Sequence, residues 1–201
     1  MADYATVDEL ASFIRIDDQQ EHVHLGALLT TASRAVDAHC GSTFETAAAA
    51  ATARVFAVAF SDLAFVHPIS SDTSLVVKTD TGGDGTYDQT WTSSDYQLEP
   101  LNQHKSGITD HPYTKIRAIE SLRFPTGKRA HLEVTALWGW TSGTPDAVRD
   151  ATIMHAVRLH ERRNMPAGIV AGDGFVARSS LGIDPDVKML LAPYVRADKW
   201  T

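Results

Sequence analysis

A single cysteine, Cys40, is the only thiol in 201 residues, so no internal disulfide can form. It lies in an apolar helical pattern, where a small buried thiol is the expected state and no redox role follows. No run of about 18 apolar residues is present to cross a bilayer. The opening residues carry Asp3, Asp8 and Glu9, where a secretory leader would have positive charge and an apolar core. The expectation is a soluble protein, not exported by that route and without a membrane partner. Positive charge is also scarce: 18 Lys and Arg stand against 25 Asp and Glu, for a net charge of −7 and a pI near 5.6. That balance disfavours a protein that gains affinity by neutralising phosphates, because such domains are usually basic.

Catalytic signatures are missing as well. There is no Gly-x-Ser-x-Gly elbow and no Gly-x-x-x-x-Gly-Lys-Ser/Thr loop. His160-Glu161 lacks the second histidine of a zinc-protease helix, since position 164 is Asn. His22, His24 and His39 share a helical stretch, but no two have the i, i+4 spacing that would put both imidazoles on one metal. The stretch from Asp80 to Asp88 gathers carboxylates around glycines in the manner of a calcium loop. Its third position is Gly82, however, and its twelfth is Trp91 in place of a bidentate glutamate, so a hairpin turn is the expected structure. No catalytic residue, no cofactor-binding residue and no metal ligand is assigned.

What is present is a chain that is 43% hydrophobic, enough for one good core and a small second one. Thr6 and Glu9 form a capping box that opens a short helix through Leu10, Phe13 and Ile14. Asp17 is the expected cap of a longer helix ending at Cys40 before Gly41, with Leu25, Leu28, Leu29, Ala32, Ala35, Val36 and His39 forming one stripe. A third helix follows Thr144 as N-cap and Pro145 as first residue, loads its last turn with Arg162 and Arg163, and is stopped by Asn164 and Pro166. Its apolar positions, Ala147 to Leu159, cover more than half its circumference, which predicts a central helix. Asp184-Pro185-Asp186 starts a last one, closed by Pro193.

Between the helices the period changes to two. Phe56, Val58 and Phe60 alternate, as do Tyr96 and Leu98, Leu122 and Phe124, and Leu132 through Trp140. The alanine run Ala47 to Ala51 reads as a hinge before this block. The predicted fold class is α+β: a helical bundle core built from the N- and C-terminal helices, residues 1–48 and 141–201, carrying an inserted antiparallel β domain at 49–140. Residues 167–183, with four glycines and no periodicity, read as an arm that a partner would order. The candidate subunit or partner interface is Arg158 and Arg162 on the polar face of the third helix, Phe175 and Val176 in the arm, and Tyr194 and Trp200 in the tail.

The ordered set of a short and a long helix from Thr6 to Cys40, Asp95-Tyr96-Gln-Leu-Glu-Pro100, Ile119 to Pro125, Val134 to Trp140 followed by Pro145-Asp-Ala-Val148, His160 to Arg163, and Asp184 to Tyr194 resembles the head-to-tail connector (adaptor) proteins of long-tailed bacteriophages, in the larger variant whose helical core is split by a β domain. The resemblance spans nearly the whole chain. It implies a non-enzymatic virion protein at the head-tail interface, made in the host cytoplasm. About a dozen copies would form a ring between the portal protein and the tail-side connector or stopper. Double-stranded DNA would pass through the lumen without sequence-specific binding, and an acidic wall would let it slide. Two readings of other classes stay open on the residues alone. One is a small metal-assisted hydrolase using the acidic turn and nearby histidines; the other is a ligand-binding β module on a helical scaffold, with Trp91, Trp138 or Trp140 stacking on the ligand.

Overall fold

The computed structural model describes residues 2–119, 121–163, 169–172, 175–178 and 182–196. The chain is α+β, with helices and antiparallel sheets, and divides into two units: residues 1–44 with 144–201, and residues 45–143.

The first unit begins with α1 (Val7–Ile14). Thr6 accepts from the Glu9 amide at 3.2 Å while the Glu9 carboxylate accepts from the Thr6 amide at 2.7 Å, so the capping box forms as expected. Leu10 and Ala11 are its buried residues. Phe13, one of the three apolar residues that marked this helix in the sequence, is 62% exposed: an eight-residue helix has only about two turns, and its buried face is already filled. Helix α2 (Gln19–Cys40) is capped one residue later than expected, by Asp18, which accepts from the Gln20 amide at 2.9 Å. Gly41 ends it in the left-handed conformation. Leu25, Leu29, Ala32, Val36 and Cys40 form its buried stripe, whereas Leu28, Ala35 and His39 lie at its half-buried margin.

Helix α3 (Asp146–Arg163) packs against α1, α2 and the short α4 (Pro185–Leu191), as its broad apolar surface requires. Leu29 meets Ile153 and Ala156 in one cluster, with Leu28, Val157 and Leu159 around it. The expected Thr144 cap is not made. The Thr144 hydroxyl donates to the Phe44 carbonyl at 3.0 Å, and the first helical turn closes on the Pro145 carbonyl, which accepts from Val148 and Arg149. Asn164 and Pro166 lie outside the described residues. The stretch read as an aperiodic arm contains two antiparallel strands, β8 (Ile169–Gly172) and β9 (Phe175–Arg178), with Ile169 opposite Arg178 and Gly172 opposite Phe175. Backbone pairing between two short runs satisfies the peptide groups that the glycine count suggests would stay open.

The second unit holds two antiparallel sheets. One has the order β1 (Thr52–Ala57), β7 (Ala130–Ala136), β3 (Val76–Thr79), β4 (Gln89–Trp91); the other is β2 (Leu63–Ile69), β6 (Tyr113–Ala118), β5 (Tyr96–Glu99). Their inner faces share one core, in which Val66, Ile69 and Ile116 meet Val77, Leu132, Val134 and Trp138. Burial alternates from Leu132 to Trp140, as the sequence predicts. Leu122 and Phe124 do not form a strand. Phe124 is buried because its ring stacks on Trp91, centroids 4.5 Å apart at 6°, so the period-two pattern there reports burial without pairing. Nor does the alanine run start as a free hinge: Ala47 and Ala48 donate to the carbonyls of Trp140 and Trp138, and the Trp140 amide donates to Glu45. Gly139 makes this closure possible. Its φ is +130°, and a Cβ there would sit 2.8 Å from the backbone of Ala47 and Glu45.

Candidate interaction surfaces

The six residues singled out from the sequence do not form one patch. Arg158 lies on α3 with Nε 3.3 Å from Asp184 Oδ2, so its charge is directed to the start of α4. Asp184 makes no side-chain cap bond and serves this ion pair instead. Arg162 is half-buried on the same face, and with burial it holds the His155 imidazole below its usual pKa, burial being the larger cause. His155 is 5% exposed, a core position on α3.

Tyr194, read as part of a trailing tail, is docked within its own unit. It lies in a single 3-10 turn (Ala192–Tyr194), edge-on to Phe44 with centroids 5.9 Å apart, and burial raises its pKa. Two residues on, the Arg196 amide donates to the Cys40 carbonyl at 2.9 Å, tying the chain to the end of α2. A tail with one aromatic anchor and one backbone bond is less free than its length suggests. Phe175 and Val176 lie in β9, opposite Gly172 and Ala171. Trp200 lies outside the described residues.

The Asp80 loop connects β3 to β4 as a hairpin. Asp80 is fully buried, and its two oxygens accept from the Gly83 and Gly85 amides at 2.6 and 2.9 Å, with His131 Nδ1 at 3.7 Å. Burial would raise its pKa, but the Gly85 and Gly83 amides outweigh it and the net shift is downward. The loop thus spends its central carboxylate on its own backbone, and Asp84 and Asp88 likewise accept from Thr86 and Thr81. Among the described residues no group of three or more His, Cys, Asp or Glu could hold a metal ion.

The three tryptophans considered for ligand stacking are all interior, with Trp91 at 4% and Trp138 and Trp140 at 5% exposure. Trp91 Nε1 donates to Thr79 and Trp138 Nε1 to the Thr52 carbonyl, so their polar edges are also used. No open ring face remains on these three for a ligand, which removes the observation on which the ligand-binding reading rested. His111 packs edge-on to Trp140 at 5.2 Å, and burial lowers its pKa to about 4.

Sequence reasoning missed one surface, the outward valley between α1 and α3 where Phe13 stands. Its signal was present in the spacing of Asp8, Glu9 and Ser12 with Phe13, but the match to Arg149, Asp150 and Ile153 depends on how the two helices pack.

No family model and no curated protein sequence matches this chain. Among solved structures, a chain described as the neck of an empty GTA particle computed with C6 symmetry aligns with a TM-score of 0.52 and 15% identity, over 95% of this chain and 89% of that one. Two further chains come from the neck of a native GTA particle computed with C12 symmetry and from the virion of a native gene transfer agent (GTA) particle. They align at TM-scores of 0.46 and 0.48, with 14% and 16% identity, over 94% and 95% of this chain and 88% and 89% of theirs. The first of these likenesses is one of fold.

Proposed function

We propose that the chain is a structural virion protein of the head-tail neck, an adaptor whose copies form a ring between the portal and the tail-side connector or stopper. The observation that carries this reading is the fold likeness, at a TM-score of 0.52 over 95% of the chain, to a chain from the neck of an empty GTA particle. The ordered motifs from Asp95 to Tyr194 support the same assignment. On this reading the helices of the first unit supply the bundle core of each ring subunit. The net charge of −7 suits a lumen through which DNA slides without being held, since each phosphate contact would add a salt-dependent drag. Ring contacts are heterologous, so two different faces of one subunit must meet. Phe175, Val176 and Trp200 are the proposed contact side chains. Arg158, Arg162 and Tyr194 would add the parts of their surface not taken up inside the subunit.

The test is electron microscopy of the purified protein mixed with the portal ring encoded by the same genome. Added ring density beneath the portal is the expected result. A mixture in which the portal is unchanged and the protein stays unassembled would overturn the reading.

A further inference from the structure

Helices α1 and α3 leave an open groove of about 530 Å³ on the first unit, with Ile153 in its floor and Phe13 as an apolar wall. Three carboxylates line it, those of Asp8, Glu9 and Asp150, against one cation, Arg149. Arg149 is shared among Asp146 at 3.3 Å, Asp150 at 3.4 Å and Glu9 at 4.0 Å, so it cannot neutralise them all. Counting Asp146, four carboxylates face one guanidinium, with His22 Nδ1 4.0 Å from Asp8, so the site keeps a net negative charge while that imidazole is neutral. The side chains of Asp8 and Asp150 are 91% and 57% exposed and stand at the rim. An apolar wall beside unneutralised carboxylates fits a segment that brings a large apolar side chain next to a cation.

This chain carries such a segment at Lys199-Trp200. We infer that the α1/α3 groove of one subunit receives Lys199 and Trp200 of the neighbouring copy in the ring. Trp200 would lie against Phe13 and Ile153, and the Lys199 ammonium would face Asp8 and Asp150. The inference rests on the ring reading above. It also sets a distance: the Arg196 amide is tied to Cys40, and four more residues span at most about 14 Å, so the neighbour's α2 end must come within that reach of the groove. Tyr194 and the groove's Asp146 lie near enough to interact electrostatically, so the subunit's own groove is also within reach of the tail and the cross-link must tell the two apart. Contact between different copies would be heterologous, the kind that closes a ring when the rotation allows.

Cysteine cross-linking on assembled rings tests it. In a Cys40→Ala background the only thiols are those introduced by Ser12→Cys, in the groove, and Thr201→Cys, beside the retained Trp200. Oxidation of the double variant should give a ladder of disulfide-linked chains. Either single variant should give none, and adding Trp200→Ala should cut the yield about tenfold. Rings that form normally but join the two introduced thiols within one chain, or not at all, would overturn the inference while leaving the ring reading intact. Absence of rings with the unaltered protein would be failure of the ring reading. The groove is then tested separately, by titrating the full chain with a synthetic peptide of residues 194–201. Saturable binding that weakens about tenfold in Phe13→Ala and falls with added salt supports the assignment, and a flat titration rejects it.

Discussion

The two units solve the same burial problem with different pieces. The helical unit is held mainly by leucine, alanine, valine and isoleucine along stripes, each contributing a modest share, with caps fixing where each helix starts. The β unit adds three large rings, Trp91, Phe124 and Trp138, to a core that is otherwise aliphatic, and the polar edges of both tryptophans are also bonded. A core of many small parts weakens gradually. A core that also leans on stacked rings loses more at those points, and single substitutions should separate the two.

The largest effect is expected at Phe124→Ala, which removes the ring stacked on Trp91 and opens a cavity between the sheets. A loss of about 4 kcal/mol should appear as a lower denaturant midpoint followed by tryptophan emission. Gly139→Ala should cost about 3 kcal/mol, because a Cβ would meet the Ala47 backbone at 2.8 Å from an already unfavourable φ. A tolerated alanine there would show that the closure of the unit at Glu45–Ala48 contributes little. Acid should reach the β unit through His111. Its folded pKa of about 4 lies below the usual 6.5, so the unfolded chain binds the proton first. The stability it contributes is complete above about pH 6.5, falls as pH drops toward 4, and levels below that, up to about 3 kcal/mol in all. Pro112 can only accept from Nδ1 at 2.7 Å, so His111→Gln, which keeps a donor without titrating, should flatten that slope. The smallest effect is in the helical unit. Tyr4→Phe removes a hydroxyl that donates to Asp37 and accepts from the Phe44 amide at 3.0 Å, and should cost about 2 kcal/mol by thermal unfolding. If Tyr4→Phe proves as costly as Phe124→Ala, the contrast between the units is wrong.

The features legible in the sequence were those fixed within a few residues. The Thr6 to Glu9 box, the Gly41 stop and the alternation from Leu132 to Trp140 each follow from local geometry and hold in the structure. What escaped depends on distant partners. The Thr144 hydroxyl leaves its cap position for a carbonyl 100 residues earlier in the chain. Phe124 looks like a strand residue because Trp91 buries it, and Tyr194 looks free because Phe44 is remote in sequence. The pairing of Ile169–Gly172 with Phe175–Arg178 was hidden by glycines, which lower strand propensity without forbidding strands. For the interaction surfaces, the sequence offered side chains but not their company. Phe13 becomes part of a groove only through Arg149 and Ile153 on another helix, and Arg158 turns inward only because Asp184 waits there.

The bonds between Glu45–Ala48 and Trp138–Trp140 bear on how such a chain folds. Bringing Phe44 and Thr144 together through a slack loop of about 100 residues would cost roughly 4 kcal/mol in closure entropy by the logarithmic rule. A β unit that folds by itself and fastens its own two ends meets that cost before the helices dock, and hands them a junction no longer than a short turn. The helical unit then folds as though its sequence were nearly continuous. By the same argument, replacing residues 45–143 with a short linker need not disturb the helices, and β cassettes of other sizes could be exchanged at this junction provided their ends are fastened in the same way.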